Sequence, residues 1–203
     1  MKVYYLCLFS LSLISICYAD ETKEPKAGYT LHINGEILKI EAGKEIDLKG
    51  EFKDLKLTLV PDKMKKFNFG SVEFSYPSHM SFEADINDGL KIWTLNGNEM
   101  VLMYYQFPNL KMSAKDLAES IASQYGEETV VVPIEMKLNG VKYKCSKLNI
   151  TLAGIKLHQT ICSLPSKQGS QLFIIQDNYR EEGENKDKNV EVMKLLNTTF
   201  NVK

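Results

Sequence analysis

Apolar and polar residues alternate in short runs from Tyr29 onward, the two-residue period of strands with one buried face, and helical spacing replaces it in two places. Tyr29, Leu31 and Ile33 precede Asn34-Gly35, a strong hairpin signal, and Ile37 to Ile40 follow it. Runs at Ile46 to Leu48 and Leu55 to Val60, set apart by Gly43 and Gly50, extend the hairpin into a small meander over 29–60. Pro61 through Lys66 reads as a linker. Beyond it, Val72 to Tyr76 predicts a strand ending at Pro77, followed by strands at Leu90 to Leu95 and Met100 to Phe107, with Asn96-Gly97 turning between the last two.

The period then lengthens. Ser113 is a good helix N-cap with Asp116 three residues on, and Leu117, Ile121 and Tyr125 share a helical face before Gly126. Strand spacing returns over 129–138, Asn139-Gly140 turns the chain into two long strands at 141–152 and 155–164, and Ser170 to Asn178 adds another. A last helix is expected over 188–198, with Val190, Met193 and Leu195 or Leu196 at helical spacing, after an acidic loop at 181–187.

The first 19 residues follow a different rule. Lys2 and the terminal amine precede an apolar run from Val3 to Ile16, interrupted by Ser10, Ser12 and Ser15, and Ala19 is followed at once by Asp20, Glu21, Lys23 and Glu24. That is the layout of a cleavable signal peptide over 1–19, with cleavage expected between Ala19 and Asp20. The apolar run is too short for a stable membrane anchor, and none is expected after cleavage. A rival reading makes Cys17 the lipidated first residue of an anchored lipoprotein, but Ile16 stands where that signal prefers a small side chain. Residues 20–28, charged and containing Pro25, read as a disordered leader. The chain is therefore expected to be exported, to the periplasm or beyond the cell.

Export gives meaning to the cysteines. Cys7 and Cys17 belong to the signal region, which leaves Cys145 and Cys162 for the folded part. With a tight turn at Ala153-Gly154, Leu152 faces Ile155, and seven residues back along one strand and seven forward along the other Cys145 faces Cys162. Counting from the turn, this is a non-hydrogen-bonded site, where side chains approach closely, so a cross-strand disulfide is predicted. The same register puts Leu148, Ile150, Leu152, Ile155, Leu157 and Ile161 on the buried face, and sets the bridge among Lys147, Asn149, Thr151, Lys156, His158 and Thr160 on a solvated one.

The strand ending in Tyr76-Pro77, the helix from Ser113 to Tyr125 after Gln106-Phe107-Pro108, the Asn139-Gly140-Val141 turn and a closing helix ending near Phe200 together resemble the PsbP-like family over about residues 67–203. The resemblance implies an α+β fold, an antiparallel sheet flanked by helices as an α/β/α sandwich, with the 29–60 meander outside it. Members of that family include a photosynthetic oxygen-evolution subunit, a Ran-binding nucleotide-release factor and exported bacterial proteins, so the resemblance implies no single function and transfers no functional residue.

Charge and candidate chemistry narrow the picture by exclusion. The chain carries 25 Lys and Arg against 26 Asp and Glu, and removal of residues 1–19 takes away one lysine and no acid, so no global electrostatic steering follows. Arg180 is the only arginine, which argues against a nucleic acid partner. His32, His79 and His158 are not at metal-ligand spacing, and Ser78-His79 lacks the turn of a serine hydrolase. Asp85-Ile86-Asn87-Asp88-Gly89 is rich in oxygen but out of register for a calcium loop, and Asp88-Gly89 reads as a turn between strands. Glu181, Glu182 and Glu184 read as a solvated loop, Asn149 and Asn197 open glycosylation sequons, and the run Met103-Tyr104-Tyr105-Gln106-Phe107 reads as a strand packed on two sides in preference to a peptide-binding edge. No catalytic residue, cofactor or metal ligand is assigned. The expectation is an exported, non-enzymatic module that binds an unidentified protein or assists an assembly, with a small-ligand or lipid carrier and a hydrolase of unrecognised class as alternatives.

Overall fold

The structure, a computed structural model, describes residues 20–49, 54–97, 100–125, 129–152, 155–179 and 186–203. The signal region, including the Ala19 side of the cleavage site, lies outside the described residues, as do the acidic residues Glu181, Glu182 and Glu184. The chain forms β1 (Gly28–Ile33), β2 (Glu36–Glu41), β3 (Leu57–Pro61), β4 (Met64–Phe69), β5 (Val72–Pro77), β6 (Ser81–Ile86), β7 (Lys91–Asn96), β8 (Met100–Phe107), α1 (Ala114–Tyr125), β9 (Val131–Leu138), β10 (Val141–Leu152), β11 (Ile155–Leu164), β12 (Ser170–Tyr179), α2 (Lys186–Thr199) and β13 (Asn201–Val202).

These strands make three antiparallel sheets. The largest has the order β6-β7-β8-β12-β11-β10-β9, and two three-stranded sheets have the orders β13-β5-β4 and β2-β1-β3. The fold is therefore mainly β, and the expected α/β/α sandwich flanked by helices is wrong. The cause lies in residues 61–86. Pro61 to Lys66 is no linker, because β3 runs to Pro61 and β4 begins at Met64. Phe67 and Phe69 alternate with Lys66 and Asn68, and Val72, Phe74 and Tyr76 with Glu73 and Ser75, so a small sheet takes the place that a helix layer would fill.

That sheet is held on the large one by aromatic contact. Phe67 stacks on Phe74 at 4.7 Å between centroids and meets Tyr104 edge-on at 6.2 Å, Phe69 stacks on Trp93 at 5.6 Å, and Trp93 stacks on Tyr104 at 5.2 Å. Phe74 continues the cluster to Phe173 and Phe200. α2 joins the same cluster through Val192 and Leu196, whereas Val190 points to solvent, one position off the expected stripe. The other face of the large sheet packs on α1 through Ala114 and Ala118, with Leu117 and Ile121 at the border and Tyr125 exposed, so the small residues, not the tyrosine, let this helix approach. The start of α1 follows the sequence signal: Asp116 N–H donates to Ser113 Oγ at 3.2 Å and the Ser113 N–H returns to Asp116 Oδ2 at 2.8 Å.

Coverage of both faces also relocates the disulfide. Cys145 faces Cys162 in the expected register, and the two are bonded with their Cα atoms 4.0 Å apart. Cys162 is fully buried and Cys145 nearly so, in the aromatic cluster with Tyr143 and Phe173, which corrects the expectation of a solvated bridge. The prediction of a wet face fails because the small sheet and α2 lie over this end of the hairpin. Toward its tip Lys147, Asn149, Thr151 and Lys156 are exposed as expected.

The segment expected to be a disordered leader instead lies against the body. Trp93 is fully buried, so its indole N–H needs an acceptor, and the Glu21 carbonyl supplies it at 2.8 Å. Ion pairs from Glu21 to Lys91 and from Glu24 to Lys65, each 2.6 Å, fix the same stretch. Replacing Cys145 and Cys162 together by alanine is expected to cost about 3 kcal/mol, because the bridge closes a 17-residue separation in the unfolded chain. The urea midpoint checks this, and an unchanged midpoint would remove the bridge from the account of stability.

Candidate interaction surface

The sheet β2-β1-β3 stands apart in its exposure. Asn34 and Gly35, both with positive φ (48° and 94°), close the β1–β2 hairpin as the sequence predicts, and β3 pairs antiparallel on the other side of β1. To reach that side the chain must cross over β1 between residues 42 and 56. Ile46 to Leu48 lies in this crossover and forms no strand, contrary to the meander expected there.

Register sorts the side chains into two faces. Leu38, Leu31 and Leu59 form one row across the three strands, Ile33 and Leu57 pair in the next, and Ile40, Tyr29 and Pro61 make a third. On this leucine face Ile33 is buried and Tyr29 and Leu31 are half-buried, yet Leu38, Leu57 and Leu59 are 38%, 51% and 54% exposed. The opposite face is more polar. Thr30, Lys39 and Asp62 meet there: Thr30 Oγ1 donates to Asp62 Oδ1 at 2.9 Å, and Lys39 Nζ donates to Thr30 Oγ1 at 2.6 Å and to Asp62 Oδ1 at 2.9 Å. The hydrogen bonds from Lys39 and then Thr30 hold the Asp62 carboxyl below the usual aspartate range.

The backbone of β3 completes the surface. Lys56 C=O accepts from Asn34 N–H and Asp62 N–H donates to Gly28 C=O, so the even-numbered residues of β3 point their peptide groups at β1. Strand alternation then turns those of Leu57, Leu59 and Pro61 to the open edge. Sheet edges are normally defended by charge, by proline or by brevity. Among the described residues β6 carries Glu83 and Asp85, β9 carries Pro133, Glu135 and Lys137, β4 carries Lys65 and Lys66, β2 carries Glu36, Lys39 and Glu41, and β13 is two residues long. Among the longer edges of the described residues, β3, Leu-Thr-Leu-Val-Pro, alone has neither a charge nor an interior proline, and every one of its residues is exposed.

The other candidates from the sequence are placed as follows. Asn87 Oδ1 accepts from the N–H groups of Gly89 and Leu90, which makes Asn87 to Leu90 the turn, while Asp85 and Ile86 close β6 in its pairing with β7. His158 faces Asn149, with Nδ1 2.7 Å from its Oδ1, and Asn149 and Asn197 are exposed. His79 is exposed after β5, and among the described residues no hydrogen bond or ion pair joins it to a carboxylate. Met103 to Phe107 lies in β8, paired on both sides by β7 and β12, so it is no edge. The Tyr76 hydroxyl is buried without a partner among the described residues, and burial, then the Glu24 charge, push its pKa above the ordinary tyrosine value. Among the described residues no three metal-ligating side chains converge, and no helix is long and apolar enough to cross a membrane. The β3 edge was missed in the sequence because its run was read as one more meander strand; the absence of charge from 57 to 61 was the available signal.

Comparison with protein-family models and with curated proteins finds no match for this chain. What the surface can do is therefore argued from its geometry. Because the Asp62 carboxyl is held low in the folded chain, its contribution to stability is present above the unfolded value near 3.8 and is lost as pH falls through the lower folded value. Asp62→Asn is expected to flatten the acid limb of the stability curve below pH 3.8. Urea melts across that range check it, and parallel acid limbs in the two chains would contradict it.

Proposed function

We propose that this chain is an exported, non-enzymatic protein-binding module whose working surface is the β2-β1-β3 sheet. The observation that carries the reading is the undefended β3 edge, continuous with the exposed Leu38, Leu57 and Leu59. An open edge offers main-chain hydrogen bonds to any extended segment, and alternate leucines beside it give apolar contacts on one face, the two elements of strand addition. Export is supported by the signal-like residues 1–19 and by the disulfide, which is consistent with an oxidising compartment. Periplasmic residence or secretion both fit that chemistry.

A carrier of small ligands or lipids would use an enclosed cavity, and a hydrolase would use a positioned nucleophile and base. No described feature favours either over the exposed sheet. A photo-crosslinking residue placed at Leu57, on the β3 edge itself, is expected in the exporting host to give adducts with a polypeptide, this chain's own second copy included. The same group at Lys147, an exposed position on the large sheet, is the control. Absence of polypeptide adducts from Leu57, or equal yields at the two positions, would overturn the reading.

A further inference from the structure

We infer that the occupant of the β3 edge is the β3 strand of a second copy of this chain, paired antiparallel about a two-fold axis at Leu59. The inference rests on the binding-module reading and names its partner.

The edge is complementary to itself. An antiparallel pair centred on Leu59 sets Leu59 opposite its symmetry mate, Leu57 opposite the partner's Pro61 and Lys56 opposite the partner's Asp62. Leu59 and Leu57 present outward N–H groups, and Leu59 and Pro61 present outward C=O groups. Each Leu59 N–H therefore meets a Leu59 C=O across the axis, and each Leu57 N–H meets a Pro61 C=O. The missing N–H of Pro61 removes only the outermost bond on each side. On one face the exposed Leu57 and Leu59 meet the partner's Pro61 and Leu59, and the row Leu38, Leu31, Leu59 continues across the axis. On the other face Lys56 meets the partner's Asp62 twice by symmetry. Asp62 leans toward β1, its Oδ1 held by Thr30 and Lys39 and its Oδ2 beside Gly28, so the partner's lysine reaches the carboxylate along the polar face. An interface that matches donor to acceptor, leucine to leucine and cation to anion when copied onto itself is the signature of an isologous pair.

The register distinguishes this pair from a random collision. A rival pairing one step away, centred on Thr58, also satisfies outward groups by setting Leu57 opposite Leu59, but it faces Lys56 with Val60 and leaves the charges unmatched. With Leu59 on the axis, its symmetry mate lies about 5.5 Å away between Cα atoms, inside the span of a disulfide, whereas Thr58 and its mate stand diagonally at roughly 7–8 Å. Cys145 and Cys162 are bonded and buried, so neither competes for an introduced thiol.

The chain recovered from the exporting cell as Leu59→Cys is expected, on mild oxidation, to double in mass, reversibly with reductant, while Thr58→Cys and the parent chain stay single. Independently, Lys56→Glu places like charges opposite each other twice and is expected to raise the dimer dissociation constant in sedimentation equilibrium roughly five- to tenfold. A Leu59→Cys chain that stays monomeric, a Thr58→Cys chain that bridges as readily, or an unchanged dissociation constant for Lys56→Glu would overturn the second copy as partner. If Leu59→Cys fails while the Leu57 probe still captures a different polypeptide, the self-pairing alone is wrong. If the Leu57 probe captures nothing, the binding-module reading fails with it.

Discussion

The aromatic stack of Phe67, Phe69, Trp93 and Tyr104 joins the small sheet to the large one, and most of the remaining structure is arranged to keep it dry. Rings of this size bury more apolar surface than any other side chains, so the sheet bearing Trp93 and Tyr104 requires a cover on that side, and the segment from Met64 to Pro77 is that cover. Phe200 and α2 extend the cover beyond Phe74, and β13 pins the chain end to β5. Apart from the Tyr76 hydroxyl, polar atoms trapped by this packing find partners at its border. Ser71 and Tyr104 hydroxyls both donate to the Gln171 side chain, and the Tyr104 hydroxyl sits so close to Gly70, 2.8 Å from where a Cβ would stand, that a side chain there would displace it. The Trp93 indole turns to the Glu21 carbonyl, which is why residues 20–24 are part of the fold and not an appended tail.

The N-terminal sheet is left more open than the body. One face of the seven-stranded sheet is occupied by β4, β5, β13 and α2, and α1 packs on the other over β9, β10 and β11, whereas Leu38, Leu57 and Leu59 of β2-β1-β3 stay exposed. The chain thus combines a body sealed on two sides, stapled by a buried disulfide, with a sheet whose β3 edge lacks the charges that guard the longer edges elsewhere in the molecule. A sealed body gives rigidity; an open edge gives a place to bind. Self-pairing of β3 resolves the exposure of Leu57 and Leu59 with groups the chain already possesses.

Short-range signals in the sequence proved legible. Asn34-Gly35 and Asn139-Gly140 adopt the positive φ values that their hairpins demand, Ser113 and Asp116 cap α1 reciprocally, and counting from the β10–β11 turn places Cys145 against Cys162. What failed were inferences about what lies over a sheet. The Lys65-Lys66 pair disguised β4 as a linker, although Lys65 is held by Glu24 and only the period-two phenylalanines after it carry the packing. β6 has a period-two pattern, Phe82, Ala84 and Ile86 alternating with Ser81, Glu83 and Asp85, yet it is absent from the strands expected from the sequence. Layer content depends on such segments, so the fold class inferred from element order was too helical, and the disulfide was set on a wet face. The open β3 edge was invisible for the complementary reason: alternation identifies a strand, but whether its outer peptide groups are paired depends on a neighbour that local sequence does not name.

The division between a sealed body and one open edge is tested most directly by amide hydrogen exchange as a function of protein concentration. The account predicts that the amides of Leu57 and Leu59 exchange rapidly in dilute protein and become protected as concentration rises, while those of Thr58 and Val60, directed at β1, show protection that does not depend on concentration. Slow exchange of Leu57 and Leu59 in dilute protein, or exchange indifferent to concentration, would contradict it.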